Sequence, residues 1–175
     1  GTHFLGTTDD QDLVFKRNNI NSGRIGKTST AFGENAFPSF NDALANTVFG
    51  GQALQKNTTG SLNTVMGAHA LNANTIGYND VAMGHYTLQS NIDGNSNTGL
   101  GVQALTSNTT GAMNTATGTY AMFNNTTGNN NSVYGMQSLR YMKNGDSNVA
   151  MGYQSGYYFG TGIVNVTASN NSIFL

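Results

Sequence analysis

Hydrophobic and polar residues along this chain follow a short pattern that returns every 17 residues. In one copy, Thr47, Val48 and Phe49 alternate between polar and apolar, and Gly50 ends the pattern. Such alternation is typical of a β-strand, and glycine permits a bend that a side chain would oppose. The glycine recurs in strict register as Gly33, Gly50, Gly67, Gly84, Gly101, Gly118, Gly135 and Gly152. The asparagine four residues before it recurs as Asn46, Asn63, Asn97, Asn114, Asn131 and Asn148.

The second part of each repeat is patterned as well. Ala53 and Leu54 form an apolar pair that recurs after the bend, which predicts a second strand. Residues 57–60, NTTG, follow, and their glycine recurs ten residues after the first one. Asn and Gly tolerate positive φ, so we predict a turn there. Each repeat is thus expected to contain strand, bend, strand and turn.

A repeat this short has no core of its own and must stack on its neighbours. We therefore predict an all-β fold, a parallel β-roll or β-solenoid of eight 17-residue coils. At about 4.8 Å per stacked strand, the rod would be roughly 38 Å long. The asparagines before the first glycine would form a ladder, each side-chain amide bonding to the next.

Both ends of the chain depart from the repeat. Residues 1–27 are interpreted as an N-terminal β cap or the end of a preceding fibre module, and residues 28–155 as the β-roll repeats. Residues 156–175 are interpreted as an irregular insertion and the start of a further strand, since Ser169 stands where the period requires glycine. The chain begins with Gly1 rather than Met, so we expect it to be a fragment of a longer protein.

Two apolar sets recur in each coil and predict how the chain assembles. Small residues such as Val48 and Ala53 fit the inside of a thin coil. A bulky set is assigned to the opposite face by alternation; its members are Phe49, Met66, Met83, Leu100, Leu54, Leu71, Leu88 and Leu105. Soluble monomers avoid such an exposed apolar column, so we predict its burial at the threefold axis of an intertwined homotrimer. The alternative is a thicker monomeric solenoid that encloses both sets.

Composition bears on function more than on fold. Charged residues are 9% of the chain and the net charge is −1, so no attraction to nucleic acid is expected. Apolar runs are too short for membrane insertion by this segment. The eight acidic residues are scattered, whereas a glycosidase needs two carboxylates about 5–9.5 Å apart. We expect a non-enzymatic chain without cofactor or metal, and we interpret His69 and His85 as solvent-facing.

Aromatic residues accumulate in the last third of the chain. Rings beside Asn and Gln can stack on sugars, and Tyr can also form hydrogen bonds. The candidate ligand contacts are Tyr141, Tyr153, Tyr157, Tyr158 and Phe159. The alternative, which we prefer on sequence grounds, is that these rings fill a widening core or the trimer junction.

Residues 46–50 (NTVFG), 53–54 (AL) and 57–60 (NTTG) together resemble the head repeats of trimeric autotransporter adhesins. They are still more similar to repeats of phage tail fibres and bacterial surface fibres, including the mosaic adhesive trimers of predatory bacteria. The likeness covers nearly the whole chain, although adhesin head repeats are shorter. It implies a parallel, intertwined homotrimer, extracellular on a bacterial cell or a virion, that attaches to a cell-surface receptor or glycan. It implies no catalytic residues.

Two other functions stay open on the residues alone. The first is a glycan-binding module that uses the C-terminal aromatics. The second is an ice-binding solenoid, since Thr30, Thr47 and Thr64 form a column that continues with Thr98 and Thr115. These threonines lie mostly between Asn and bulky apolar residues, which argues against the broad flat array that ice binding requires.

Overall fold

The computed structural model describes residues 6, 7, 9, 11–38, 44–157 and 173–175. Its secondary structure is all β in these residues, and one sheet orders the strands as they occur in the chain. Strands β1 (Leu13–Arg17) and β2 (Ile20–Ile25) pair antiparallel through a turn in which Asn18 and Asn19 have positive φ. Strand β2 then pairs antiparallel with β3 (Thr30–Phe32), so this hairpin forms the first end of the sheet.

The remaining strands are short and parallel. They are β3 (Thr30–Phe32), β4 (Thr47–Phe49), β5 (Thr64–Met66), β6 (Val81–Met83), β7 (Thr98–Leu100), β8 (Thr115–Thr117), β9 (Ser132–Tyr134), β10 (Val149–Met151) and β11 (Ile173–Phe174). From β3 to β10 each residue pairs with the residue 17 positions later, as Val48 does with Val65. The predicted β-solenoid of 17-residue coils is therefore confirmed, with about seven turns between Gly33 and Gly152.

The bend after each strand also follows the prediction. The first glycine of every coil has a φ between 120° and 149°, where side chains other than hydrogen are strained. A second constraint comes from stacking, because a Cβ at Gly67 would collide with the carbonyl group of Gly84 in the next coil.

The predicted second strand is wrong. Ala53 and Leu54 lie in a curled segment rather than a strand. Gln52 has a φ of 56° and Leu54 a φ of 50°, so both residues have a left-handed backbone. Both side chains are fully buried, whereas neighbours in a strand point to opposite faces. A left-handed backbone turns both side chains inward. Its cost of about 1–2 kcal/mol per residue is offset by bonds between coils, such as Leu54 N–H to the Ala70 carbonyl at 3.0 Å.

The reason given for a glycine at the end of residues 57–60, a positive φ, is also wrong. Gly60 does not have positive φ, and the nearest residue after it that does is Leu62, at 58°. Gly60 is required for space, because a Cβ there would meet Asn57 Oδ1 and the carbonyl oxygen of Gly77.

The core is a set of vertical columns inside the coils. The small column runs through Val48 and Val65, and the alanine column through Ala53 and Ala70. The leucine column was expected outside but is fully buried as Leu54, Leu71, Leu88 and Leu105. It completes the core because the left-handed segment directs it inward. Of the bulky set, the strand members Phe49, Met66 and Met83 lie outside as predicted, at 38%, 50% and 38% exposure, while Leu100 is partly exposed.

Candidate functional site

The predicted asparagine ladder is confirmed and is wholly internal. Asn63 N–H donates to Asn46 Oδ1 at 2.9 Å, and Asn63 Nδ2 donates to the Gly77 carbonyl oxygen at 3.0 Å. The column ends with Asn148, whose Nδ2 donates to Asn131 Oδ1 at 2.9 Å. Every asparagine of this column is buried. These residues hold coils together and present nothing to a ligand.

A second internal ladder was not recognised as one from the sequence. Asn74 Nδ2 donates to Asn57 Oδ1 at 2.9 Å, and the series continues as Asn91, Asn108 and Asn125. Its sequence signal is an asparagine seven residues after the first glycine, which we interpreted only as part of a turn. The ladder stops at Met142, which leaves the buried Asn125 Oδ1 without a partner among the described residues.

Asp80 is the one carboxylate in the first ladder among the described residues. It replaces asparagine, and its Oδ1 accepts the Asn97 N–H at 2.8 Å while its Oδ2 accepts from Asn91 Nδ2 at 3.2 Å. Burial raises the pKa of Asp80 to about 7, against the lowering effect of the bonds from Asn97. This shift is a consequence of the internal position, because no second carboxylate pairs with Asp80 in the described residues.

One exterior surface runs along the whole solenoid. We define the sheet face as the first and third residues of strands β4 to β10 together with the residue after each first glycine. It contains no Asp, Glu, Lys or Arg, and His85 is its one histidine. Its exposed large apolar residues are Phe49, Met66, Met83, Val102, Tyr134, Met136, Val149, Met151 and Tyr153. The sheet face is thus a long, uncharged and partly apolar surface.

The predicted aromatic contacts do not form one group. The rings of Tyr141 and Tyr157 meet edge to face, with centroids 5.1 Å apart, and both residues are partly exposed. Tyr153 lies on the sheet face and is 65% exposed. Tyr158 and Phe159 lie outside the described residues.

Arg140 joins Tyr141 to two further aromatic rings of the last third of the chain that were not among the candidate contacts. The guanidinium carbon lies 4.5 Å from the Tyr120 ring centroid, 5.5 Å from Phe123 and 5.6 Å from Tyr141. These distances are within the range of cation–π attraction. We define the Arg140 cluster as Tyr120, Phe123, Arg140, Tyr141 and Tyr157.

The repeat explains why this cluster forms. In each coil, the residue five positions after the first glycine stacks on a residue of the preceding coil. That residue stands two positions after the first glycine of the preceding coil. In an earlier coil, Asn72 occupies that place and donates from Nδ2 to the Gln52 carbonyl oxygen at 2.8 Å. Near the C-terminal end, Arg140 takes the same place over Tyr120. The coil geometry is unchanged while the exterior chemistry changes from amides to a cation on rings.

The histidines of adjacent coils are neighbours but do not form a metal site of three or more ligands. The His69 and His85 ring centroids are 6.1 Å apart, and His69 stacks on Tyr86 at 4.9 Å. Within the described residues, no cluster of three or more His, Cys, Asp or Glu could hold a metal ion. The same part of the chain contains no helix that could cross a membrane.

A cleft of about 450 Å³ lies at the other end of the solenoid, between the hairpin and the first coil. Lys16, Arg24 and Phe37 contribute to its lining. Arg24 is paired with Asp12 in an ion pair. This cleft contains none of the predicted contact residues, and the Arg140 cluster is the candidate site that the structure favours. No protein family, curated protein or solved structure matches this chain.

Proposed function

We propose that the chain is a non-enzymatic segment of a homotrimeric attachment fibre on the outside of a bacterial cell or a virion. The observation that supports this most is the uncharged sheet face. Met66, Met83 and Met151 are exposed on it at 50%, 38% and 55%. Soluble monomers rarely expose large contiguous apolar patches, and this face carries apolar side chains in every coil from β4 to β10 except that of β8, whose three positions are threonines.

The size of the sheet face suits an interface between chains. Seven strands spaced about 4.8 Å apart make the face roughly 34 Å long. Three outward residues in each coil, spaced about 6.6 Å apart, make it roughly 20 Å wide, so its area is about 700 Å². A standard stable interface buries about 600–1,000 Å² per partner. The face is therefore large enough for specific association.

The period of the sheet face favours an identical partner. Its side chains form ridges that repeat at the spacing of the coils, so another solenoid of the same pitch can interdigitate along the full length. A globular partner would match only a few coils. Three copies around an axis would bring together the column of Phe49, Met66 and Met83, in keeping with the resemblance to trimeric fibres.

Sedimentation of the intact chain tests this assembly. A homotrimer has three times the mass of the 18.4 kDa chain. Met83→Asp should dissociate the trimer or prevent its folding, because three carboxylates would be buried without partners. Ile76→Asp is the matched control, since Ile76 is 52% exposed away from the sheet face. A stable 18.4 kDa species at micromolar concentration would exclude the trimer.

Glycan binding is a second candidate, and the pairing of Tyr141 with Tyr157 is what favours it. Partly exposed rings provide stacking surfaces for sugars, and three copies would add avidity. Replacing both residues with Ala should abolish binding on a glycan array while the melting temperature changes little. A large loss of stability instead would identify the rings as core. Ice binding is not part of the proposal, because Val81 and Val149 interrupt the threonine column.

A further inference from the structure

Arg140 carries a charge that the described residues do not neutralise. Its side chain has no ion pair or hydrogen bond with them, and its Nε is buried without a partner. The other two arginines behave differently, since Arg17 pairs with Glu34 and Arg24 with Asp12. A partly buried cation that lacks an acceptor is costly unless something supplies one.

The rings hold this cation in place without neutralising it. Tyr120 lies 4.5 Å from the guanidinium carbon, and Phe123 and Tyr141 lie within 5.6 Å. Ring faces attract the cation through their electrons, but they accept no strong hydrogen bond. The outer nitrogens of the guanidinium are therefore preorganised for an acceptor that the described residues do not supply. A carboxylate fits best, because it matches the planar fork of arginine with two parallel bonds.

Sugar-binding chemistry adjoins this cation. Tyr141 is in contact both with Arg140 and with Tyr157, whose ring is 5.1 Å away. Gln137 and Gln154 stand one and two coils further along the column of Tyr120, and Gln154 Nε2 donates to Gln137 Oε1 at 2.8 Å. Rings and amides together suit the apolar face and the hydroxyl groups of a pyranose.

We propose that the Arg140 cluster binds a sugar that bears a carboxylate, such as a uronic acid residue of a surface polysaccharide. Arg140 would bind the carboxylate, while Tyr141 and Tyr157 would contact the ring. This rests on the glycan-binding candidate above and specifies its ligand class. It does not depend on the trimer, which sedimentation tests separately.

The test compares trigalacturonic acid with its methyl ester, which has the same rings without the charge, and with sodium acetate. Ligand-observed NMR titration of the whole chain gives the affinities. We expect the acid to bind at least about tenfold more tightly than the ester. A charge-assisted hydrogen bond is stronger than a neutral one by the free energy that corresponds to about a tenfold change in affinity. Arg140→Gln should remove this preference. Lys143→Gln, which removes the same charge from an exposed position outside the cluster, should preserve it.

Four results would overturn the inference. Equal binding of acid and ester would leave glycan binding intact but refute the requirement for a carboxylate. Failure of both sugars to bind would refute the glycan candidate as well. An equal response to acetate would show an adventitious anion site. If Arg140→Gln does not fold, Arg140→Lys is the variant to test, because it retains the charge without the planar fork. An undiminished preference of Arg140→Lys for the acid would contradict the role assigned to Arg140.

Discussion

Inside the solenoid, equivalent positions of successive coils hold nearly the same residue, whereas outside they vary. The position four residues before the first glycine is asparagine in most coils, as in Asn46 and Asn63. The bulky outward position of the strand changes from Phe49 to Met66, Thr117 and Tyr134. Interior residues must bond to their copies above and below, so the pitch of the coils restricts them. Exterior residues meet solvent or a partner, and function can change them without changing the coil.

The largest effect is expected where the interior has no space at all. Gly67→Val should prevent folding or cost about 4 kcal/mol or more, because both its positive φ and the carbonyl of Gly84 exclude a branched side chain. A matched pair sharpens the test. Gly50→Ala should destabilise strongly, whereas Gly51→Ala should not, since the nearest atom to a Cβ at Gly51 is 3.8 Å away. Thermal unfolding followed by circular dichroism measures all three, and equal melting temperatures would contradict the stacking argument.

Asp80 tests the one place where a charge enters the first ladder. The pKa of Asp80 is about 7 in the folded chain, whereas the ordinary pKa of an aspartate, which applies to the unfolded chain, is 3.8. The folded state therefore favours the protonated form. The stability that Asp80 contributes is complete below about pH 4 and is lost as the pH rises through about 7. Asp80→Asn should therefore raise the free energy of unfolding at about pH 8 by up to about 4 kcal/mol.

The same substitution should flatten the dependence of stability on pH between about 4 and 8. Asn is expected to donate to the Gly94 carbonyl oxygen as Asn63 does to Gly77 at 3.0 Å. Asp93→Asn serves as a control, because Asp93 is exposed and its replacement should leave stability under the same alkaline conditions unchanged. Denaturant unfolding at several pH values provides the measurement. A variant of Asp80 that is no more stable than the native chain at the alkaline end would refute the prediction.

Within the second ladder, position decides the cost of losing an amide. Asn108 donates to Asn91 and accepts from Asn125, both at 2.8 Å. Asn125 also donates, but its Oδ1 has no partner in the described residues. Asn108→Leu should cost about 2–3 kcal/mol through unpaired buried groups, and Asn125→Leu about 1 kcal/mol less. Denaturant unfolding separates the two, and the reverse order would show that the ladder does not act through its paired atoms.

The smallest effect is expected at an exterior position. Ile92 is 45% exposed in a column where Thr75 donates to the Ile92 carbonyl oxygen at 3.1 Å and Thr109 to that of Thr126 at 3.0 Å. Ile92→Thr should change stability by no more than about 0.5 kcal/mol, because the new hydroxyl can donate to the carbonyl oxygen of Thr109. A loss above about 1 kcal/mol would mean that this exterior position packs against something.

The candidate site shows how far exterior residues can be predicted. Tyr141 and Tyr157 were identified because aromatic residues accumulate in the last third of the chain, and their rings do meet. Tyr153 was grouped with them from proximity in the chain, although it lies on the sheet face. Arg140 and Tyr120 were not connected, because they are 20 residues apart and belong to different coils. Only the offset between stacked coils brings such residues together.

The period, the stacking of coils, the glycine bend and the first asparagine ladder follow from sequence alone, because each depends on identical residues recurring in register. The handedness of the segment after the bend does not. Gln52 and Leu54 have left-handed backbones, a conformation that neither residue type prefers. It is selected because it buries Ala53 and Leu54 together while their backbone groups bond to the next coil. The tertiary structure therefore decided that the leucines lie inside, since the energy of stacked coils outweighs local preference.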